Sequence, residues 1–86
     1  MSPKPLILRI LTPDGTVFDG PVEAVFLPGS KGRFEVLPGH APLITSLDPG
    51  RIDWRTGGLR QAIAVRDGAA IVEDNTVTVC AQVRAK

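Results

Sequence analysis

The chain has 86 residues, with 10 Lys and Arg against 9 Asp and Glu, and a formal net charge of +1. This length accommodates one domain, and the balanced charge argues against a strongly basic nucleic-acid-binding protein and against a polybasic membrane anchor. The single cysteine, Cys80, excludes an internal disulfide scaffold and indicates a reducing compartment. No apolar stretch approaches the roughly 20 residues of a membrane span, and we expect neither a secretory signal nor a transit peptide at the N-terminus.

Short apolar or alternating segments recur between nine glycines and eight prolines, a spacing typical of short strands and tight turns. The predicted strands, in chain order, are 6–11, 16–18, 22–27, 33–37, 43–47, 51–54, 59–65, 69–73 and 76–83. Turns are predicted between them, among others at Asp19–Gly20, at Pro28–Gly32 and, as a hairpin, at Asp67–Gly68. The last strand alternates most clearly, and its predicted inward residues are Val77, Val79, Ala81 and Val83.

These segments predict an all-β fold: one small β-sandwich or flattened barrel of about 8–10 short, mostly antiparallel strands in two sheets. The Ala-rich segment 59–72 has some helical propensity. However, Gly68 and the β-branched residues Ile63, Val65 and Ile71 favour two strands there. The 86 residues are therefore interpreted as a single β domain.

Residues suited to catalysis or metal binding are few. His40 is the only histidine, and with Cys80 it offers fewer ligands than a zinc site needs, so no metal and no cofactor is expected. Four carboxylates are predicted to lie in turns, where such side chains cap backbone amides: Asp14, Asp19, Asp48 and Asp67. Four aromatic residues fall mostly on inward positions, which disfavours nucleic-acid binding: Phe18, Phe26, Phe34 and Trp54. By themselves, these residues indicate an interaction module without catalytic chemistry.

Several motifs follow one another in a fixed order along the chain. They are Thr12-Pro13-Asp14-Gly15-x-Val17-Phe18-x-Gly20, Pro28-Gly29-x-x-Gly32-x-Phe34, Val36-Leu37-Pro38-Gly39-His40-Ala41-Pro42-Leu43-Ile44 and Leu47-x-Pro49-Gly50-x-Ile52. Together they resemble the ε subunit family of F-type ATP synthases, whose mitochondrial members are called δ. The resemblance covers about residues 6–82 and concerns the family's N-terminal β-sandwich.

The resemblance implies a non-catalytic rotor subunit in the central stalk, which links the γ subunit to the c-ring and couples proton flow to ATP synthesis. The implied partners are γ, the polar loops of the c-ring and, through the F1 assembly, the α and β subunits. No nucleic acid and no direct membrane insertion are implied. The implied location is peripheral, on the cytoplasmic side of a bacterial inner membrane. The alternative is a β-sandwich adaptor unrelated to ATP synthase.

Full-length family members carry a C-terminal helical hairpin after the sandwich, and in the family these helices can inhibit ATP hydrolysis. Residues 1–86 resemble the sandwich only. We therefore expect helix-mediated inhibition to be absent from this chain.

The resemblance also implies a surface that faces the c-ring, formed by Ser30, Lys31, Gly32, Arg33 and His40. Polar contacts suit ring loops that project into water. Alternatively, Lys31 and Arg33 form only a solvated turn, and His40 holds its loop through bonds to the backbone. Many members carry an acidic residue in this turn, so its basic character suggests a c-ring loop that offers a carboxylate.

A second implied surface faces γ and comprises Leu43, Ile44 and Thr45. Core packing explains Leu43 or Ile44 equally well. The sequence departs from the family pattern at Glu35, where glycine is frequent, and at Arg66-Asp67-Gly68, where Gly-Gly is frequent.

Overall fold

The computed structural model describes residues 4–83, and in this part of the chain every regular element is a β-strand. The strands are β1 (Leu6–Thr12), β2 (Gly15–Val22), β3 (Ala24–Gly29), β4 (Gly32–Val36), β5 (Leu43–Leu47), β6 (Gly50–Thr56), β7 (Leu59–Glu73) and β8 (Thr76–Val83). The predicted all-β fold is confirmed. Among residues 4–83 no helix is long and apolar enough to cross a membrane.

The eight described strands form one continuous hydrogen-bonded sheet that folds into two layers, the two sheets of the sandwich, and strand β7 belongs to both. Its first half pairs with β6, which leads to β3 and β4, and its second half pairs with β5 and β8, which leads to β1 and β2. A single pair, Gly29 with Leu47, also joins β3 to β5 and closes a ring of four strands. Among the strands of residues 4–83, every pairing is antiparallel except that of β1 with β8, which is parallel. The result combines the two predicted forms, a sandwich that is partly closed like a flattened barrel.

The core lies between the two sheets and is lined by alternate residues of each strand. In β1 and β8 the fully buried side chains are Leu6, Leu8, Ile10, Val77 and Val79. The rings of Phe18 and Trp54, from β2 and β6, meet with centroids 5.0 Å apart. This contact packs one sheet against the other at the end of the sandwich.

The prediction of a turn at Asp19–Gly20 is wrong. Strand β2 continues to Val22, because residues 19–22 pair with residues 6–9 of β1, and Arg9 forms an ion pair of 3.4 Å with Asp19. Pro21 is tolerated because β2 lies at the sheet edge, where a missing amide hydrogen costs no ladder bond. Asp19 is therefore a strand residue rather than a turn cap.

The predicted hairpin at Asp67–Gly68 is also wrong. Strand β7 runs through both residues, with a bulge between Val65 and Asp67 on the side that pairs with β8. Gly68 pairs with Leu47 on one side and with Ala81 on the other. Pairing on both edges of the strand outweighs the local turn preference of Asp-Gly.

Smaller differences concern strand ends. Pro28 and Gly29 belong to β3, so the predicted turn at 28–32 contracts to a tight connection at Ser30–Lys31. Val83, predicted to face the core, is 40% exposed at the end of β8. The first difference arises because Pro28 and Gly29 pair with β4, and the second because Val83 lies at a strand end. Neither can be predicted from the local sequence pattern.

Candidate functional site

The β3–β4 hairpin carries the turn that was predicted to face the c-ring. Ser30 ties this turn to β5: its Oγ lies 2.7 Å from Ser46 Oγ and donates a hydrogen bond of 3.1 Å to Asp48 Oδ1. Lys31 is exposed, and no hydrogen bond or ion pair of its side chain is recorded within residues 4–83. The ammonium group of Lys31 is thus available to a partner, whereas the Ser30 hydroxyl already holds the turn in place.

His40 lies beside the same hairpin. Its ring centroid is 6.5 Å from that of Phe34 in β4, and its Nδ1 lies 2.7 Å from the carbonyl oxygen of Ala41. Because a carbonyl oxygen only accepts, Nδ1 must carry the proton in this contact, which leaves Nε2 of the neutral ring as an acceptor. The backbone amide of His40 donates to the Leu37 carbonyl at 3.1 Å. The geometry supports the role of His40 in holding its loop and also places it next to the predicted ring-facing turn.

Close packing next to the turn of the hairpin favours glycine at position 29. A Cβ added there would lie 2.8 Å from Cε1 of Phe34. The Phe34 ring thus packs against Gly29 and lies close to the His40 ring. The His40 loop, predicted to form one surface with the turn, therefore lies beside the β3–β4 hairpin.

Arg33 belongs to a different arrangement from Lys31. Its Nη1 donates to the Arg51 carbonyl at 2.6 Å, and its Nη2 lies 3.1 Å from Oδ1 of Asp53. Asp53 also accepts from Nε of Arg51 at 2.9 Å and from Nε of Arg60 at 3.2 Å. Its side chain is only 2% exposed. Arg33 is consequently held by intramolecular bonds and is not simply a residue of a solvated turn.

Sequence reasoning missed Asp53, because alternation placed it opposite Ile52 and Trp54 and thus on an apparently exposed face. The spacing of Arg51 and Asp53 was a partial signal, since residues two apart in a strand share a face. The ion pair between Arg33 and Asp53 could not be predicted from the sequence. It depends on β3 lying between β4 and β6.

The charges around Asp53 set its pKa. Burial alone raises this pKa, but the hydrogen bond and charge of Arg51, the charge of Arg33 and the hydrogen bond of Arg60 outweigh burial. The net result is a pKa below the usual aspartate value. Asp53 therefore stays ionised at neutral pH.

Asp53→Asn is expected to lower the free energy of unfolding by about 1–3 kcal/mol at pH 7, because it removes a charged acceptor from three guanidinium groups. Since folding lowers the pKa, the stabilisation by Asp53 is complete above the unfolded value of about 3.9 and is lost as the pH falls below it. The difference between wild type and variant should therefore shrink from pH 7 to pH 3. Urea unfolding followed by the fluorescence of Trp54, the only tryptophan, measures this difference.

Asp19→Asn provides the matched control for this prediction. Asp19 pairs with one arginine, Arg9, and both side chains are about half exposed. Its loss is expected to cost less than about 1 kcal/mol at pH 7. Equal effects of the two variants would contradict a special contribution of Asp53.

The three residues predicted to face γ lie on β5 but differ in environment. Leu43 packs partly against the core, and Thr45 is half-buried with its Oγ1 donating to the Ser46 carbonyl at 3.0 Å. Ile44 points outwards and is 79% exposed. It pairs across the sheet with Ile71, which is 41% exposed. Of the three, only Ile44 presents a large apolar side chain to solvent.

Ile44 is part of a wider outer apolar face, which we define as Ile44, Ala69, Ile71 and Cys80. Ala69 and Cys80 pair with each other on β7 and β8, next to the Ile44–Ile71 pair, and both are exposed. No three His, Cys, Asp or Glu side chains of residues 4–83 converge as they would to hold a metal ion. Residues 4–83 thus present two exposed surfaces of different character, one polar at the hairpin and one apolar on the sheet.

The fold and the two exposed surfaces together define a small β-sandwich domain. The chain belongs to the ATP synthase delta/epsilon family: residues 5–85 match the model of the family described as "ATP synthase, Delta/Epsilon chain, beta-sandwich domain". This match confirms the resemblance identified in the sequence.

Curated relatives agree with the family match. The chain is 51% identical over 74 residues to the ATP synthase epsilon chain of Prochloron didemni, covering 86% of this chain and 54% of that protein. The corresponding protein of Prochlorococcus marinus (strain MIT 9303) is 49% identical over 74 residues, covering 86% of this chain and 56% of that protein. The chain therefore spans about half the length of the curated relatives it matches.

Two solved structures share the fold. A chain in the mitochondrial ATP synthase of Euglena gracilis, a structure of OSCP, F1 and c-ring, superposes with a TM-score of 0.85 at 26% identity, covering 94% of this chain and 52% of that chain. A chain in the central stalk and c-ring of the Tetrahymena thermophila mitochondrial ATP synthase superposes with a TM-score of 0.76, covering 95% and 66% of the two chains. At 17% identity the second likeness shows the fold alone.

Proposed function

We propose that this chain is a non-catalytic rotor subunit of the central stalk of an F-type ATP synthase, where it links γ to the c-ring and couples proton flow to ATP synthesis. The observation that carries this proposal is the match of residues 5–85 to the delta/epsilon sandwich family. Its place is peripheral, on the cytoplasmic side of a bacterial inner membrane. A catalytic step belongs to other subunits, and α and β contact this chain through the F1 assembly. The family match leaves no support for an adaptor unrelated to ATP synthase.

The architecture suits a part that transmits torque. Strand β7 pairs with β6, β5 and β8 along its 15 residues, so the two sheets share one continuous backbone. A closed hydrogen-bonded ring of β3, β6, β7 and β5 resists shear between the sheets. Such a domain rotates as one body rather than yielding at a hinge.

The two surfaces are assigned to the two partners by their chemistry. The outer apolar face, centred on Ile44, faces γ, because a permanent contact between subunits favours burial of apolar side chains. The hairpin turn with Lys31, flanked by His40, faces the polar loops of the c-ring. Ser30 and Gly32 shape this turn, and Arg33 supports it from the Asp53 side.

The test is a titration of the 86-residue chain into a complex of α, β and γ from the same source, with binding and ATP hydrolysis measured together. Incorporation at one copy per γ with little change in hydrolysis is expected. Strong inhibition would keep the stalk assignment but place regulation in the sandwich itself. The absence of binding to γ would overturn the proposed function. The expectation that helix-mediated inhibition is absent stays a prediction until hydrolysis is measured.

Lys31→Glu is expected to weaken the contact with the c-ring by about two- to fivefold, the effect of losing an exposed charge contact of up to about 1 kcal/mol. ATP-driven proton pumping in membranes depleted of this subunit measures the effect as the concentration of added chain that restores half of the pumping. Lys4→Glu, with the same charge change at an exposed position outside the turn, is the control. Equal concentrations for both variants would argue against a charge role of Lys31. Arg33 is unsuitable for this test because its loss also breaks the bonds to Asp53.

A further inference from the structure

Three arginines from three strands converge on the outer face of the sheet formed by β4, β3, β6 and the first half of β7. We define the arginine cluster as Arg33, Arg51 and Arg60, gathered around Asp53. The carboxylate accepts two bonds at Oδ1, 3.1 and 2.9 Å long, and one at Oδ2, 3.2 Å long. Three guanidinium groups thus face a single carboxylate, and most of their positive charge is left uncompensated.

The donors of this cluster are only partly used. Within residues 4–83, the recorded side-chain bonds of Arg51 and Arg60 involve Nε alone. Their side chains are 65% and 58% exposed. The two terminal nitrogens of a guanidinium form an edge that binds a carboxylate through two parallel hydrogen bonds. Each of these two arginines therefore retains two terminal nitrogens that can donate hydrogen bonds to a carboxylate.

The cluster is also held in place before any partner binds. Asp53 fixes Nε of Arg51 and of Arg60, and the Arg60 guanidinium lies over the Phe26 ring with Cζ 4.7 Å from its centroid. Ordering a long side chain on binding costs free energy, and a side chain that is already ordered avoids this cost. Asp53 thus acts as a positioning residue for a cationic surface.

Acidic residues beside the arginine cluster limit the kind of anion that it can bind. Glu35 is exposed and pairs directly with Phe26, on the row that also contains Asp53. On another side, Glu23 pairs with Arg55 at 3.2 Å. These carboxylates repel a continuous polyanion such as nucleic acid or an anionic membrane, and the whole chain carries a net charge of only +1. A short peptide segment with two or three carboxylates can bind to the arginines without coming close to Glu23 or Glu35.

We propose that the arginine cluster is a docking surface for an acidic protein segment, which it binds through its carboxylates. This surface is separate from the outer apolar face. It shares Arg33 with the predicted c-ring contact but binds its partner through Arg51 and Arg60 rather than Lys31. The proposal does not rest on the central-stalk role, so either can fail alone.

The test follows the Nε–Hε signals of the arginines by NMR in the 86-residue chain during titration with a blocked peptide of four glutamates. The signals of Arg51 and Arg60 are expected to shift saturably, whereas that of Arg66, which is exposed outside the cluster, stays unchanged. A peptide of four glutamines is the matched control and should cause no shift. Shifts of Arg66 as large as those of the cluster, or equal effects of both peptides, would overturn the proposal.

Three variants separate directed hydrogen bonding from general electrostatic attraction. Arg60→Gln should weaken binding of the glutamate peptide at least threefold, whereas Arg66→Gln, with the same charge change, should leave it within experimental error. Arg60→Lys keeps the charge but loses the two-nitrogen edge, so it should also weaken binding. Full affinity in Arg60→Lys would overturn bidentate recognition, and tighter binding of single-stranded DNA than of the peptide would overturn the choice of an acidic protein segment. If the Arg60 variants do not fold, the NMR shifts of Arg51, Arg60 and Arg66 in the wild-type chain still test whether the cluster binds the peptide.

Discussion

Gly68→Ala is expected to lower the free energy of unfolding by about 3 kcal/mol or more, the largest effect of any single methyl group that we anticipate in this protein. A Cβ at this position would collide with the carbonyl oxygen of Cys80 and would lie 2.7 Å from Cα of Ala81. Both are backbone atoms of β8, so relief requires the strands to separate. Urea unfolding followed by Trp54 fluorescence measures the loss.

Gly20→Ala is the control, because it makes the same change in a strand where the nearest atom to a new Cβ would be a Phe18 ring carbon at 3.7 Å. That distance is ordinary van der Waals contact, and the free energy of unfolding is expected to change by less than about 1 kcal/mol. The comparison also tests the course of β7. In a hairpin at Asp67–Gly68 the new methyl group would face solvent, so equal stabilities of the two variants would contradict a strand that passes between β5 and β8.

Ile44→Lys is expected to weaken binding to γ by about 30-fold, the effect of losing a central contact worth about 2 kcal/mol. The free energy of unfolding should change little, because Ile44 is 79% exposed in the isolated chain. A long charged side chain in the middle of an apolar contact would have to lose its water without gaining a partner. Isothermal titration of the variant against purified γ measures the affinity.

Leu59→Lys is the matched control for this second prediction. Leu59 is an aliphatic residue of similar exposure, 70%, but it lies beside the β6–β7 turn, away from the outer apolar face. Its replacement should leave the affinity for γ unchanged. A loss for Leu59→Lys equal to that for Ile44→Lys would move the γ-facing surface away from β5, while the assignment to the central stalk would still depend on binding by the wild-type chain.

The strand bounds that were predicted most accurately are those set by alternation and turn residues within a few positions. The bounds of β5 and β8 were predicted correctly, at 43–47 and 76–83. Asp74 and Asn75, which separate the predicted strands 69–73 and 76–83, both adopt positive φ, at 54° and 56°, as residues of a tight hairpin turn do. Alternation and turn chemistry act over a few residues, so they can be read without knowledge of the fold.

The environments of the residues in the two predicted surfaces could be predicted only in part, for the same reason. Lys31 and Ile44 are exposed, as contact residues would be, and their contacts with partners stay a prediction. The bonds that hold Ser30 and Arg33, in contrast, come from Asp48 and from Asp53, which are 18 and 20 positions further along the chain. Sequence patterning does not report which distant strand will be a neighbour.

By itself, the sequence determined an all-β sandwich, its membership of the delta/epsilon family and the absence of a disulfide framework, because these follow from periodicity, turn residues, motif order and a single cysteine. Only the tertiary structure decided that β7 passes through Asp67 and Gly68 to join both sheets, and that Asp53 is buried beneath Arg33, Arg51 and Arg60. The physical reason is common to both. Pairing on two edges of a strand outweighs a local turn preference, and the buried Asp53 is compensated by cations that β4, β6 and β7 bring to it.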